Sequence, residues 1–125
     1  MFNFSGKRPE NLGVTDGKLN ACPGTPNCVC SQSDRPQEKI EALPAVSLDQ
    51  LRQVIEGLER TTIIKQTDNY LYAEFKSKLM GFVDDVEFFH DGQAIQVRSA
   101  SRLGKSDLGA NRERVEMIRS AIQFM

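Results

Sequence analysis

Hydrophobic positions repeat with a helical period in one stretch of this chain and with a period of two in the next. From Ser47 onward, apolar residues lie three or four apart, which predicts an amphipathic helix ending at about Glu59. Its start matches a capping box, in which Ser47 accepts a hydrogen bond from a free backbone amide and Gln50 reaches back. The predicted apolar face comprises Leu48, Leu51, Val54, Ile55 and Leu58.

Alternating residues then predict four strands, at 61–67, 70–77, 82–90 and 93–102. Asp91-Gly92 has the chemistry of a two-residue hairpin turn between the last two strands. An apolar stripe from Val115 to Ile122 predicts a C-terminal helix, with Asp107 or Asn111 as its N-cap. The predicted fold is an α+β two-layer sandwich, in which two helices cover a four-stranded antiparallel sheet in the order α-β-β-β-β-α.

Residues 1–46 carry all five prolines of the chain and show little periodicity. We predict an irregular N-terminal arm that wraps or partly frays from an α+β domain at 47–125, within one domain overall. The net charge of -1 gives no overall attraction to nucleic acid or to an anionic membrane. No apolar run approaches the ~20 residues of a transmembrane segment, and the start lacks the apolar core of a signal peptide. The chain therefore reads as soluble and cytoplasmic, although one trimmed of a targeting segment would look the same.

The densest polar stretch runs from Arg98, in the fourth predicted strand, to Glu116 in the last helix, and Asp84 and Asp85 precede it in the third predicted strand. A two-residue turn at Asp91-Gly92 would place Asp85 opposite Arg98, where an exposed cross-strand ion pair is the simplest interpretation. Asp84 would lie opposite Ser99 on the face that points at the helices. A carboxylate on that face needs polar partners, so Asp84 is either a structural tie to the following loop or a functional group. Its nearest candidate partners are Ser99, Ser101 and Arg102.

The loop from Leu103 to Gly109 leads directly into the C-terminal helix. Free amides at a helix start bind anions, and Arg112 and Arg114 in the first turns add bidentate capacity, so an anion pocket is available there. The alternative is local structure only, in which Arg112 pairs with Glu116 and residues Ser106 and Asp107 cap the helix.

Three cysteines, Cys22, Cys28 and Cys30, lie within nine residues. A Cys22–Cys28 disulfide or redox-sensitive pair is our first interpretation, and structural free thiols, which a reducing cytoplasm would favour, are the second. Metal binding ranks third, because three thiols need a fourth ligand and the spacing is not that of a zinc site. No metal and no cofactor is predicted.

Three segments of the chain, Gly17–Val29, Gly81–Phe88 and Arg98–Arg112, together resemble the family known as domain of unknown function 1499. The resemblance covers nearly the whole chain from Gly17, and the family's members are small bacterial proteins and plant plastid proteins. It implies one recurring element made of Cys22, Pro23, Pro26, Asn27 and Cys28. It implies a second made of Asp84, Asp85, Arg98, Ser99, Ser101, Arg102, Ser106, Asp107, Asn111 and Arg112. Cys30 stands where the family usually has Ser, and the resemblance supplies no reaction.

Two functions fit these residues. The first is a non-catalytic module that binds a small anion or a protein partner, through the polar loop, the cysteine loop or a sheet face left uncovered by helices and lined by Tyr70, Tyr72 and Phe89. The second is an enzyme that uses Asp84 or Asp85 as acid or base on an anionic substrate held by arginines. We favour binding, because no activated nucleophile, phosphate loop or metal cluster accompanies the polar residues. The predicted ligand-binding residues are Asp84, Arg98, Ser99, Ser101, Arg102, Ser106, Asp107, Asn111 and Arg112.

Overall fold

Two helices and seven strands form within residues 6–104 and 109–125, which the computed structural model describes. The fold is α+β, as predicted. In chain order the elements are β1 (Val14–Thr15), β2 (Lys18–Leu19), β3 (Cys28–Cys30), α1 (Leu48–Glu56), β4 (Thr61–Gln66), β5 (Tyr70–Lys76), β6 (Val83–His90), β7 (Ile95–Ser101) and α2 (Ala110–Gln123). No helix in this described part of the chain is long and apolar enough to cross a membrane.

Helix α1 begins with the predicted capping box. The Gln50 amide donates to Ser47 Oγ at 3.1 Å, and the Ser47 amide donates to Gln50 Oε1 at 3.0 Å. The helix ends at Glu56 rather than at about Glu59, because Gly57 takes the C-cap position and favours termination. Leu48, Leu51 and Ile55 bury the predicted face against the sheet and helix α2.

The main sheet has five strands in the order β3-β7-β6-β5-β4, each antiparallel to its neighbours. The sequence predicted four of these strands. The predicted number was wrong because the fifth strand, β3, belongs to the arm, where no strand of the sheet was expected. Cys28, Val29 and Cys30 pair with Ala100, Ser99 and Arg98 of β7. A three-residue strand between prolines has no detectable alternation, so its pairing depends on the edge that β7 presents.

The hairpin between β6 and β7 has a longer turn than predicted. Asp91 Oδ1 accepts hydrogen bonds from the amides of Gln93 and Ala94, both at 2.9 Å, which closes a four-residue turn. The register therefore moves by two residues, so that Asp84 lies opposite Ser101 instead of Ser99 and Asp85 lies opposite Ala100 instead of Arg98. A shift of two leaves every side chain on its predicted face.

The arm covers the sheet face opposite the helices, so the prediction of an uncovered face lined by aromatic residues was wrong. Leu19 of β2 packs with Tyr70, Tyr72 and Phe89, and each of these aromatic residues is at most 9% exposed. Farther along the arm, Ile40 and Leu43 enter the main core between sheet and helices. The arm buries apolar surface on both sides of the sheet, which stabilises its path although only its three short strands are regular.

Helix α2 begins one residue after its N-cap, Gly109, whose φ of 83° lies in the left-handed region that glycine tolerates. Asn111 is therefore not the N-cap; it lies in the first turn with its side chain fully buried. The other predicted cap, Asp107, lies outside the described residues. The apolar stripe is confirmed, with Val115, Ile118 and Ile122 buried.

Candidate functional site

The predicted site residues are divided between the two faces of the sheet, as the alternation indicated. Asp84, Ser99 and Ser101 point at helix α2, whereas Asp85 and Arg98 point at the arm. Arg102, just beyond the end of β7, also points at the arm. Two separate polar networks follow from this division.

Asn111 is the centre of the helix-side network. Its Oδ1 accepts from Ser99 Oγ at 2.5 Å, and its Nδ2 donates to Ser101 Oγ at 2.9 Å and to the carbonyl of Asn27 at 3.1 Å. Asn27 belongs to the cysteine loop, and its own Nδ2 donates to the carbonyl of Gly104 at 2.7 Å. Asn111 thus ties helix α2, strand β7 and the arm together, which is a structural use of a predicted ligand residue.

Asp84 pairs with Arg114, which the sequence analysis placed in the anion pocket but did not connect with Asp84. Arg114 Nη1 lies 2.7 Å from Asp84 Oδ2 and donates to Asn111 Oδ1 at 3.0 Å. The same guanidinium stacks over the Phe75 ring, 5.1 Å from its centroid. Arg114 follows Asn111 by three residues and therefore shares its side of the helix, a signal that could have identified it.

Arg112 binds the arm and does not pair with Glu116. Its two terminal nitrogens donate to the carbonyls of Lys39 at 2.8 Å and Gln37 at 3.0 Å. Glu116 instead pairs with Arg119 at 2.9 Å, so the predicted alternative pairing of Arg112 with Glu116 was wrong. Ser106 and Asp107, the other residues of the predicted anion pocket, lie outside the described residues, and their roles stay predictions.

Asp85 is the centre of the arm-side network, and its partner is Arg102 instead of Arg98. Arg102 donates two hydrogen bonds to the carboxylate, from Nη2 to Oδ1 at 2.6 Å and from Nε to Oδ2 at 3.2 Å. The Tyr72 hydroxyl donates to the same Oδ1 at 2.5 Å. The prediction of an exposed Asp85–Arg98 ion pair was wrong, because the arm covers this face and Asp85 is only 1% exposed.

Glu74 links this network to the arm. Its Oε2 accepts from Arg102 Nη2 at 2.7 Å and from Arg8 Nε at 2.8 Å. Burial opposes ionisation of Glu74, but the hydrogen bonds from the two arginines outweigh it and hold the pKa of this carboxyl below its ordinary value. The hydrogen bond to Asp85 raises the pKa of Arg102, so the guanidinium stays charged.

Arg98 lies opposite Glu87, which is fully buried. Glu87 Oε2 accepts from the Tyr70 hydroxyl at 2.6 Å and from the Gly13 amide at 2.7 Å, whereas Oε1 lies 3.8 Å from Arg98 Nη1. Burial raises the pKa of the Glu87 carboxyl. Two buried atoms of this pair, Glu87 Oε1 and Arg98 Nε, have no hydrogen-bond partner among the described residues.

Three cavities border these networks. The largest, here called the basic cleft, has a volume of about 480 Å³ and is lined by Gly6, Arg8, Arg60, Thr61, Thr62, Glu74, Lys76, Val83 and Arg102. A second cavity of about 290 Å³ between arm and sheet brings together four of the predicted residues, Asp85, Arg98, Ser101 and Arg102. A third of about 290 Å³, here called the apolar depression, includes Phe82, Asp84, Leu103 and Arg114 in its lining.

The basic cleft contains residues that sequence reasoning missed. Arg8 comes from the arm, Arg60 from the turn after α1, and Lys76 from the end of β5. They are far apart in the chain and belong to no motif, so only the fold brings them together. Arg60 has a φ of 56°, a conformation that is uncommon for a residue with a side chain.

Cys22 and Cys28 form the disulfide that was the first interpretation of the cysteine spacing. Cys30 is a free thiol, buried beside this disulfide, and burial raises its pKa. A thiol of this kind is a weak nucleophile. Among the described residues, no group of three or more His, Cys, Asp or Glu side chains is placed so that it could hold a metal ion.

Loss of the disulfide should destabilise the protein moderately. The Cys22→Ser/Cys28→Ser double variant is expected to lose about 2 kcal/mol of unfolding free energy, the chain-entropy value for a loop of this size. Denaturant titration of both proteins under non-reducing conditions measures the difference. Cys30→Ser is the control and should leave the disulfide bond intact; equal stability of the double variant and the wild type would contradict the expectation.

Comparison with known proteins tests the resemblance inferred from the three sequence segments. Searches of curated proteins and of solved structures found no match. The sequence profile of one family, described as a protein of unknown function (DUF1499), matches residues 18–122 and so spans β2 through almost all of α2. The expected relationship is confirmed: the chain belongs to the DUF1499 family.

Proposed function

We propose that this protein is a non-catalytic binding module that takes an anionic ligand in the basic cleft. The observation that carries the proposal is the charge of the lining. Four cationic side chains, Arg8, Arg60, Lys76 and Arg102, surround the cleft, and Glu74 is its one acidic side chain among the described residues. Such an excess of positive charge around this cavity favours an anionic occupant.

The cations of the cleft differ in how they are held. Arg102 is fixed against Asp85 and Glu74, and its side chain is only 6% exposed. Its guanidinium is therefore a fixed positive charge in the lining of the cleft and is not free to reorient toward a ligand. Arg8 is partly held by Glu74 and stands at the border with solvent.

Arg60 and Lys76 supply the available charge. Their backbones are joined, since the Lys76 amide donates to the Arg60 carbonyl at 2.9 Å, which keeps the two side chains at one side of the cleft. Arg60 pairs with Glu59, whose side chain is 82% exposed, and a pair of that kind is worth at most about 1 kcal/mol. Among the described residues Lys76 forms no ion pair. An incoming anion can therefore recruit both cations at little cost.

The surroundings of the two aspartates give less support to the alternative, an enzyme that uses Asp84 or Asp85 as acid or base. A general base needs a lone pair that a substrate proton can reach. Asp85 is enclosed by Arg102 and Tyr72, and Asp84 is engaged by Arg114. Both carboxylates are held by cations in the way that structural carboxylates are.

Titration with inorganic phosphate, followed by amide chemical shifts, tests the proposal. Phosphate should shift the amides around Arg60 and Lys76, and the Arg60→Gln/Lys76→Gln variant should bind at least about tenfold more weakly. The matched control is Lys65→Gln, an exposed lysine on β4 that does not line the cleft and should bind like the wild type. Equal weakening in both variants, or shifts that avoid the cleft, would contradict an anion site there.

A further inference from the structure

The hairpin turn between β5 and β6 projects large apolar side chains into solvent. Leu79 is 90% exposed, Met80 50% and Phe82 40%, and Leu103 across the apolar depression is 42% exposed. Isolated exposed apolar residues are common on protein surfaces, but several large apolar side chains exposed within one turn indicate an interaction site. We call Leu79, Met80 and Phe82, which all lie in this turn, the apolar tip.

The backbone of the turn holds the apolar tip in place. The Ser77 amide donates to the Phe82 carbonyl at 2.8 Å, and the Phe82 amide donates to Ser77 Oγ at 2.9 Å. Gly81 has a φ of 70°, which lets the chain reverse inside this closed turn. Leu79 and Met80 therefore lie at the end of a pinned hairpin, where they form a convex projection.

Positive charge borders the apolar tip. Residues 76–82 contain two lysines, Lys76 and Lys78, and no acidic residue, and both lysines are exposed. Lys76 also lines the basic cleft, and Val83 at the other end of the turn lines both the cleft and the apolar depression. The apolar tip and the cationic cleft are thus continuous at one end of the sheet.

We propose that this end of the protein docks on an anionic lipid surface. Leu79 and Met80 enter the boundary between headgroups and acyl chains, while Lys76, Lys78 and Arg60 meet headgroup phosphates. The inference rests on the proposed anion cleft and names the source of its anion as a lipid headgroup. The combination of apolar side chains at a convex end with a basic rim is what interfacial membrane binding requires.

The shape of the surface favours a lipid bilayer over an acidic protein partner. A protein partner of fixed shape would need a concave pocket for a side chain as exposed as Leu79, whereas a fluid bilayer accommodates any small projection. The net charge of -1 means that attraction to the membrane is local to this end of the molecule. Binding should therefore fall as salt is raised.

Vesicle co-sedimentation of the full chain tests the proposal. Vesicles of equal parts phosphatidylglycerol and phosphatidylcholine should bind the protein at low salt, and vesicles of phosphatidylcholine alone should bind it far less. Leu79→Ser/Met80→Ser should weaken binding at least about tenfold, and Lys76→Gln/Lys78→Gln about twentyfold.

The matched apolar control is Phe124→Ser, because Phe124 is 88% exposed but belongs to the C-terminus of the chain. The matched charge control is Lys18→Gln/Lys65→Gln, two exposed lysines outside the basic cleft.

Phosphate titration of the same variants separates this inference from the proposed function. Leu79→Ser/Met80→Ser should keep its phosphate affinity and its fold, which circular dichroism checks, while losing the vesicles. Phosphate binding without any preference for anionic vesicles would overturn the lipid proposal and leave the anion cleft standing. Vesicle binding that depends on Leu79, with no phosphate binding, would support the lipid surface and overturn the cleft as a site for free anions. Equal binding to soluble polyglutamate, lost in the apolar variant, would overturn the lipid proposal in favour of an acidic protein.

Discussion

Replacing Arg102 with Met is expected to lower the free energy of unfolding by about 3–5 kcal/mol, the usual cost of removing one partner from a buried ion pair. The variant leaves the Asp85 carboxylate, which is 1% exposed, with a hydrogen bond from Tyr72 but without its cation. It also removes one of the two arginines that hold Glu74. The methionine keeps most of the apolar stem, so the loss comes from charge and hydrogen bonding.

Denaturant titration measures this loss, and two further variants interpret it. Arg102→Lys keeps the charge but loses the pair of hydrogen bonds to Asp85. Its free energy of unfolding should therefore lie between those of the wild type and Arg102→Met. Arg52→Met is the matched control, because Arg52 pairs with Glu56 on the surface, where the two side chains are 41% and 55% exposed. It should lose under about 1 kcal/mol. A loss of that size for Arg102→Met as well would show that the arm-side network does not stabilise the fold.

At alkaline pH the protein is expected to unfold before either tyrosine ionises. The chain has only two tyrosines, Tyr70 and Tyr72, and each is buried with its hydroxyl donating to a carboxylate. Burial raises the pKa of both phenols, and the hydrogen bonds to Glu87 and Asp85 raise it further. Above about pH 10 the unfolded chain holds fewer protons than the folded one, so stability decreases as the pH rises. The two groups together give a slope of about 3 kcal/mol per pH unit, and below pH 10 their contribution is fully present.

Phenolate absorbance and circular dichroism, recorded on the same samples, check this expectation. The two signals should change together, because phenolate forms only in the unfolded chain. Tyr70→Phe and Tyr72→Phe should each remove about half of the alkaline slope while lowering stability at neutral pH by about 1.5–3 kcal/mol, through a lost hydrogen bond to a charged group. Absorbance that rises while the circular dichroism spectrum stays native would contradict the buried donor geometry.

Much of the fold was predictable from local patterns. The capping box at Ser47, the positions of four strands and the apolar stripe of α2 all depend on residues close together in the chain, and all are confirmed. The assignment of Asp84 and Asp85 to opposite faces also survives the two-residue register shift, because side chains alternate with a period of two. The Cys22–Cys28 bond, one of the interpretations of the cysteine spacing, joins residues only six apart.

The partners of the charged residues were not predictable in the same way. Asp85 was assigned to Arg98 and pairs with Arg102. Asp84 pairs with Arg114, which was named for the anion pocket and not as a partner of Asp84. Partner choice depends on the exact register and on the approach of a helix remote in sequence. A turn closed by one side chain, Asp91, was enough to change the register.

Periodicity and short motifs were enough to predict the two helices, four of the strands, the opposite faces of Asp84 and Asp85, and the family to which the chain belongs. The arm adds a fifth strand and covers the second face of the sheet through long-range contacts that no local pattern indicated. That covering converts a predicted surface ion pair into a buried network, and it brings Arg8 beside Arg60 and Lys76 in the basic cleft. Local sequence sets the direction of a side chain, whereas its burial and its partners depend on segments that are distant in the chain.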